Sequence, residues 1–525
     1  MPLALAALAA VRAPRVHELL DYWHVLAKVT TDDGSLIPAQ LFTYHLDQPF
    51  VLPSLLFWAD AAWFGGDNRV LTLLTVAMMA AVVVLLRTML PASLGPVKRA
   101  TLTTAFAFLM LSSHAAELWL QGTNGISWVP AVLFSVLAIA LAHHDRPWAA
   151  CVAAAVGCLC FGAAFPAWFS IALVAWLRRS PTLKAVVPAI IGVVVFALWF
   201  ATKPAAQQSL ASSAFDPDGR LSVITAALGG LWSADVPVVA IIAGGITLAA
   251  LVLLSWSPTR ARAVDSAPEG PSAGWIGVAL YAAALAVMLG LGRTSSDVPN
   301  GNVGLISRYV IVAALATCAL LTLLALHRPK LPTRHLVAGT LTVALLTHAI
   351  GGTTADAVKR SYAPLQLVGV ALRVNATAAL NALHIEPTAI PAARALHDYP
   401  FTAAFTLGCG HHELGSHIDL TTVQVLPGST SASLNRGTLD QQTTAPGSII
   451  SGWATISGTP TTCVLVTDGT GTVAGGGITG LDHPDAGTSG FQAVAAPNTP
   501  SPVVLVVAAN VFYRVSTTAN PTSAH

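Results

Sequence analysis

Acidic, histidine and aromatic side chains are concentrated between Arg12 and Arg69, in a sequence that is otherwise strongly apolar. Within HELLDYWHVL, Asp21 could act as a general base that accepts the proton of an attacking hydroxyl. His24 follows one helical turn later and could orient the Asp21 carboxylate or share its proton. The alternative is that these are ordinary polar residues of an aqueous loop, with Trp23 as an anchor in the headgroup layer.

Two further sets of polar side chains lie beside apolar runs and are candidates for binding. Glu117 and Gln121 are four residues apart, which places them on one face of a helix near the end of a predicted membrane span. Ionisable groups in a span are costly, so they are functional candidates by default. Arg293 and Arg308 flank a short loop, where two guanidinium groups could clamp an anionic phosphate. The alternative for Arg308 is that its side chain extends to the lipid headgroups.

The composition is that of a protein with many membrane spans. Of the 525 residues, 54% are hydrophobic and 10% are charged, against about 25% charged in a typical soluble domain. The net charge of +2, with no basic block, gives no support for nucleic-acid binding. The length of a membrane crossing predicts about ten spans, with a shortened eleventh at residues 1–11 whose N-terminal part lies upstream. The ten lie at residues 70–90, 101–120, 128–142, 148–160, 162–177, 185–201, 236–256, 275–291, 305–326 and 335–351.

Lysine and arginine are unevenly distributed between the predicted loops, and this predicts the orientation. The basic loops are expected to be cytoplasmic; they contain Lys98, Arg99, Arg146, Arg178, Arg179, Lys184, Arg260, Arg262, Arg328, Lys330 and Arg334. Residues 12–69 then form the first extracytoplasmic loop. The sequence therefore predicts a multi-pass plasma-membrane protein with a transmembrane helix bundle at residues 1–352 and an extracytoplasmic C-terminal domain.

The composition changes after Thr353, where Gly, Thr, Ser and Pro become frequent. Residues 353–399 are expected to form a helical connector. From 400 to 515, short β-branched runs are separated by Gly, Pro and Asp-Gly turns, which is typical of an antiparallel β-sandwich or jelly roll. Residues 516–525 are expected to be a disordered tail.

The two cysteines of the C-terminal region, Cys409 and Cys463, flank predicted strands. Outside the cytoplasm such a pair is expected to form a disulfide. The neighbouring segment GCGHHELGSH lacks the HExxH spacing, so a His-rich surface loop is favoured over a zinc site. No cofactor is expected; a divalent ion at Asp21, His24 and Asp47 is chemically feasible but is not favoured.

The acidic DYW motif in an outward loop resembles membrane glycosyltransferases of the GT-C superfamily. HLDQPFVLPSLLFWADAAWFGGDNR is similar to the (H/E)-x-P…LLF..D…FGG.NR segment of that family. SSHAAELWLQG and the SRY stretch that contains Tyr309 also resemble parts of related sequences. The resemblance covers residues 12–352 and includes the mannosyl- and arabinosyltransferases of actinobacterial envelopes. It breaks down at His45 to Asp47, where relatives usually have Asn-Glu-His.

The resemblance implies transfer of a sugar from a polyprenyl-phosphate donor in the lipid bilayer to a hydroxyl of an envelope glycan or glycolipid. The reaction would take place at the outer face of the membrane. It also implies a base, Asp21, with His24; a phosphate site of Arg293, Arg308 and Tyr309; and a sugar or acceptor site of Glu117, Gln121, His45 and Asp47.

The main alternative is a transporter or flippase for lipid-linked sugars. A transporter needs polar residues at mid-membrane and often has broken helices. The ionisable residues are predicted at the outer rim instead, and no internal repeat is visible, which favours an enzyme. A second alternative is a non-catalytic scaffold that presents the β-domain to the cell wall, but it leaves the region around Asp21 without a role.

Overall fold

The chain forms two compact units. The computed structural model describes residues 1–204, 217–264, 270–292, 301–328, 332–428, 433–441, 445–457 and 461–516. Unit 1 comprises Met1–Ala13, Pro38–Leu56 and Arg69–Val358, and unit 2 comprises Pro14–Ile37, Phe57–Asn68 and Lys359–His525. This grouping differs from the predicted division, because two parts of the predicted first loop fold with the C-terminal region. The tail predicted to be disordered lies outside the described residues, apart from Ser516.

Apolar runs form most of the helices, since a helix satisfies its own backbone hydrogen bonds in apolar surroundings. In chain order the α-helices are α1 (Pro2–Val11), α2 (Leu20–Val29), α3 (Val51–Phe64), α4 (Asn68–Thr88), α5 (Gly95–Met110), α6 (Ala116–Leu120), α7 (Gly122–His143), α8 (Pro147–Cys158), α9 (Ala167–Leu177), α10 (Thr182–Thr202), α11 (Pro217–Gly229), α12 (Pro237–Val264), α13 (Ala273–Gly292), α14 (Val310–His327), α15 (Thr333–Tyr362), α16 (Leu367–Arg373), α17 (Thr377–Ala382) and α18 (Ile390–Ala395).

Short 3₁₀ turns punctuate these helices. They occur at Pro38–Phe42, Ala92–Leu94, Ser113–Ala115, Gly162–Ala164, Val303–Leu305, Ser307–Tyr309, Ala363–Gln366, Pro387–Ala389 and Leu420–Thr422. Such turns are common where a helix begins or ends. Two of them, Ser113–Ala115 and Ser307–Tyr309, carry polar side chains of the candidate site.

Seven helical stretches within the described ranges are long and apolar enough to cross a membrane. They are Asn68–Thr88, Gly122–His143, Thr182–Thr202, Pro237–Trp256, Ala273–Gly292, Ser307–His327 and Thr333–Arg373. The stretch that contains α14 is 83% buried, whereas the stretch of α10 is only 17% buried. Helix α14 is therefore central in unit 1 and α10 is peripheral.

Three predicted spans are too short to cross a bilayer as single helices. Helix α5 ends at Met110, and the chain then forms a 3₁₀ turn and the five-residue α6 before Gln121 adopts an extended conformation. Helices α8 and α9 have 12 and 11 residues, against about 20 for a crossing. The prediction of a continuous span at residues 101–120 is thus wrong, since the helix ends at Met110 and a 3₁₀ turn follows it.

Helices α11 and α12 of unit 1 pack through glycines. A Cβ atom built on Gly229 would overlap the carbonyl oxygen of Ala240, and one built on Gly244 would overlap that of Thr225. Small residues at such a crossing let two backbones approach closely, as in other membrane helix pairs. Gly245, the next residue of α12, has open space around its Cα atom.

These two neighbouring glycines make a matched pair of substitutions. Gly244→Ala is expected to cost about 1–3 kcal/mol, because the helices must separate to admit the methyl group. Gly245→Ala is expected to be neutral or to stabilise the helix by up to about 1 kcal/mol. Thermal unfolding of the purified full chain in detergent checks both. Equal melting temperatures for the two variants would contradict the close α11–α12 contact.

Within the described residues, the C-terminal part of unit 2 forms one eight-stranded sheet, where the sequence predicts a sandwich or jelly roll. Its strands are β1 (Gln424–Val425), β2 (Arg436–Gln441), β3 (Ile450–Thr455), β4 (Cys463–Thr467), β5 (Val473–His483), β6 (Gly487–Ala495), β7 (Val503–Ala508) and β8 (Val511–Val515). The order is β1-β8-β7-β4-β5-β6-β3-β2, and every neighbouring pair is antiparallel except β1 and β8.

The sheet curls so that its two ends approach each other. The Leu439 N–H of β2 donates to the Ser516 carbonyl just after β8, at 3.2 Å, and the Gly437 N–H donates to the Pro427 carbonyl at 3.0 Å. One face of the sheet thereby surrounds its own apolar core, which includes Val464, Phe491 and others. Because one curled sheet can bury this core, a second sheet is not needed.

The other face of the sheet is covered by helix and loop. Helix α16 packs against β5 and β6. A disulfide joins Cys409 to Cys463 at a Cα separation of 5.6 Å, which is the pairing that the sequence predicts. The His-rich loop pairs with the start of β5, where the Val473 N–H donates to the Ser416 carbonyl at 2.8 Å. Trp453 of β3 is only 3% exposed, so it packs inside this part of the chain.

Candidate active site

The predicted base lies at the start of α2, in unit 2. Asp21 is half-buried in the first turn, where the helix dipole favours a carboxylate, and His24 is exposed. The helix is held by its opposite face, on which Trp23 is fully buried and donates from its indole N–H to the His17 carbonyl at 2.8 Å. Trp23 is therefore a packing residue of unit 2.

A buried ion pair in unit 1 joins two of the predicted binding residues, Glu117 and Arg308. The Arg308 guanidinium donates to Glu117 Oε1 at 2.5 Å, and the Arg308 backbone N–H donates to Oε2 at 3.1 Å. Asn124 Nδ2 donates to Oε1 at 2.8 Å. The Glu117 side chain is 4% exposed and that of Arg308 is 20% exposed. One carboxylate thus accepts three hydrogen bonds and fixes the guanidinium.

Ser307 connects the two backbone segments that carry this pair. The Glu117 N–H donates to Ser307 Oγ at 3.1 Å, and Ser307 Oγ–H donates to the His114 carbonyl at 2.6 Å. His114 in turn shares a 3.0 Å hydrogen bond between Nδ1 and the Thr354 hydroxyl. These contacts tie the break between α5 and α7 to the start of α14, so the position of Arg308 is fixed by three segments.

Two further residues of the predicted binding site, Gln121 and Tyr309, are buried in the packing of unit 1. Gln121 is fully buried at the junction of α6 and α7. Tyr309 is 1% exposed and packs edge-on against Trp128, with ring centroids 5.1 Å apart, while the Arg308 guanidinium lies 5.1 Å from the Tyr309 ring. The predicted Arg293 lies outside the described residues.

His45 and Asp47 belong to a tight turn in unit 1. The backbone N–H groups of His45 and Gln48 each donate to the other's carbonyl. His45 is buried against Phe50, and the Asp47 carbonyl accepts from the Trp199 indole at 2.6 Å. The Asp47 carboxylate accepts from the Gln48 side chain at 2.8 Å. These contacts are those of an anchoring turn.

Unit 2 contains a buried polar cluster that sequence reasoning did not find. We call it the His17 cluster; it consists of His17, Tyr22, Asp60 and Asp398. His17 Nε2 lies 2.9 Å from Asp60 Oδ2, and the His17 and Tyr22 rings stack at 3.6 Å. Each of the four residues is at most 1% exposed. The one indication in the sequence was Asp60, a single acidic residue within the apolar run WADAAW.

Burial governs the protonation of these groups, which lie outside the seven spanning stretches. Burial, together with the nearby Asp60, raises the pKa of Asp398 to about 8. Burial also raises the pKa of Asp60, and it lowers the pKa of His17 to about 3. All three directions favour the neutral form, because an apolar interior penalises charge.

No metal site is visible in the part of the chain that the structure describes, where no three His, Cys, Asp or Glu side chains are arranged to hold an ion. Comparison with protein-family models, with curated proteins and with solved structures finds no match in any of the three. The resemblance to GT-C glycosyltransferases therefore stays a prediction from the sequence motifs.

Proposed function

We propose that the chain is an integral membrane glycosyltransferase of the GT-C type. It transfers a sugar from a polyprenyl-phosphate donor to a hydroxyl of an envelope glycan or glycolipid at the outer face of the plasma membrane. The observation that carries the proposal is the Arg308 guanidinium, which Glu117 fixes at the start of the central apolar helix α14. A guanidinium beside an apolar helix bundle suits the phosphate group of a lipid.

The geometry of the ion pair suits a preorganised phosphate site. Because Glu117 accepts from both the side chain and the backbone N–H of Arg308, the guanidinium keeps one orientation without substrate. A planar guanidinium matches the oxygen atoms of a phosphate, and a fixed donor costs no reorganisation as charge develops on the leaving group. Glu117 is then a positioning residue for Arg308, in place of the sugar contact that the sequence predicts.

In the proposed reaction, the acceptor hydroxyl attacks the anomeric carbon of the donor sugar. Asp21 accepts the hydroxyl proton while the new glycosidic bond forms, and His24 orients the carboxylate. The bond between the anomeric carbon and the phosphate oxygen breaks, and polyprenyl phosphate leaves with the bonding electrons. Arg308, with Arg293, offsets the charge on that phosphate. The step needs no nucleotide.

The outward orientation of the sheet is part of the same proposal. The disulfide between Cys409 and Cys463 supports it, because disulfides persist in oxidising compartments and are rare in the cytosol. The basic loops predicted to be cytoplasmic give the same orientation.

One observation also suits transport of lipid-linked sugars. The helical path is interrupted between Met110 and Gly122, beside the buried ion pair of Glu117 and Arg308. Transporters often bind their substrates at such broken helices. A transporter would move the donor between leaflets without cleaving it, so the two functions give different products.

The test uses the purified full chain in vesicles that contain labelled polyprenyl-phosphate sugar and a glycan acceptor. Release of polyprenyl phosphate together with a labelled glycan is the expected result. Transfer of intact donor between leaflets would overturn the proposal.

Arg308→Lys keeps the positive charge but loses the planar, two-pronged donor geometry of the guanidinium. Because this costs about one hydrogen bond to a charged group, the KM for the donor should rise about tenfold. Arg328→Lys, at the other end of α14, is the matched control and should change nothing.

A further inference from the structure

The His17 cluster gathers three parts of unit 2 that are distant in sequence. His17 precedes α2, Tyr22 lies on α2, Asp60 lies on α3 and Asp398 follows α18. Gly66 lies between Asp60 and Asp398, and its N–H donates to the Asp60 carbonyl at 3.2 Å. A Cβ atom on Gly66 would lie 2.8 Å from Asp398 Cγ.

Several polar atoms of this cluster lack hydrogen bonds. Within the described residues, His17 Nδ1, Tyr22 Oη, Asp60 Oδ1 and both Asp398 carboxyl oxygens have no hydrogen-bond partner. A charged carboxylate in that position would cost far more than a neutral one. The geometry therefore favours protonated carboxyl groups at neutral pH.

The charged groups around the cluster do not change this conclusion. From the loop before α2, Arg15 pairs with Asp67 at 2.9 Å and lies over the Tyr399 ring at 4.7 Å. The other titratable groups on the elements packed here are Glu18, Asp21, His24 and Lys28 on or beside α2, and Arg394 and His397 on or beside α18. Of these, Glu18 is a further buried acid, while His24, Arg394 and His397 are exposed.

We propose that the His17 cluster is a proton-binding site that locks the two first-loop segments, 14–37 and 57–68, to the end of the helical connector at Asp398. At neutral pH the carboxyl groups are protonated and the segments stay packed. When the pH rises and Asp398 ionises, a buried charge without a hydrogen-bond donor forces the cluster to open. This inference does not depend on the proposed glycosyl transfer.

The sign of the pH dependence follows from the directions of the pKa shifts. Asp398 has a folded pKa of about 8 against 3.8 for the ordinary group, so its contribution to stability is lost as pH rises between these values. Asp60 has the same sign. His17, with a folded pKa of about 3 against 6.5, contributes a rise in stability between those values. Above pH 6.5 only the carboxyl groups of Asp398 and Asp60 still make the stability depend on pH, so the free energy of unfolding falls as the pH rises.

The test compares the full-length protein with Asp398→Asn, because an amide resembles a protonated carboxyl group in size and cannot ionise. For the wild type, Asp398 alone should raise the unfolding equilibrium constant by up to about tenfold per pH unit between pH 6.5 and 8, and Asp60 should add to that rise. In Asp398→Asn this rise should be markedly smaller. Asp32→Asn, which removes an exposed acid of the same loop, should behave like the wild type.

A second measurement does not depend on the variant folding. Infrared spectra of the wild type should show the C=O stretch of a protonated carboxylic acid at neutral pH, and the band should decline as the pH approaches 8. Absence of that band at neutral pH would overturn the proposal. A melting temperature of the wild type that is constant from pH 6.5 to 8 would overturn it as well.

Discussion

Replacing Asp21 by Asn should reduce sugar transfer by about 100-fold or more, which is the usual contribution of a general base. An amide cannot accept the hydroxyl proton, whereas it keeps the size of the carboxyl group and its place in the first turn of α2. The rate of glycan labelling in vesicles measures the effect. A thermal melt checks that the variant folds.

The matched control for this substitution is Asp32→Asn, an exposed acid in the same predicted loop. It should transfer sugar at the wild-type rate. If Asp21→Asn folds, binds donor and still transfers at the wild-type rate, Asp21 is not the base, although the phosphate site could still stand. If neither the wild type nor the variants release polyprenyl phosphate, the proposed function itself fails.

Removing the Glu117 carboxylate should cause the largest loss of stability in unit 1. Glu117→Ala removes the carboxylate that accepts hydrogen bonds from Arg308 and Asn124, and breaking a buried ion pair costs about 3–5 kcal/mol. Because the Arg308 side chain is 20% exposed, we expect the lower end of that range. Chemical or thermal unfolding in detergent measures the loss.

An exposed ion pair supplies the control. Lys184 and Asp145 lie 3.6 Å apart with 28% and 55% of their side chains exposed, and such pairs contribute at most about 1 kcal/mol. Asp145→Ala should therefore lower stability far less than Glu117→Ala. Equal losses would mean that Glu117 does not hold Arg308 as the structure indicates. Glu117→Gln, which keeps an acceptor oxygen but not the charge, should fall between the two.

The sequence led to the correct class of elements where one physical rule dominates. Long apolar runs are helical, and seven are long enough to span a membrane in the described ranges. The β-branched runs after residue 400 form strands, and Cys409 pairs with Cys463. Span lengths were less predictable, because the turns at Leu111 and Gln121 break an apolar run without Pro or Gly at those two positions.

What the sequence determined by itself is the local pattern: which runs are apolar enough to be helical and which alternate as strands. The hydrogen bonds of a helix join residues four apart, and the side-chain periods of helix and strand are also local, so composition and spacing suffice to recognise both kinds of element. Only the tertiary structure decided that Glu117 meets Arg308, 191 residues away, that His17 meets Asp60, and that one sheet curls around its own core. Such contacts depend on how elements pack against one another, and nothing in a linear spacing specifies that packing.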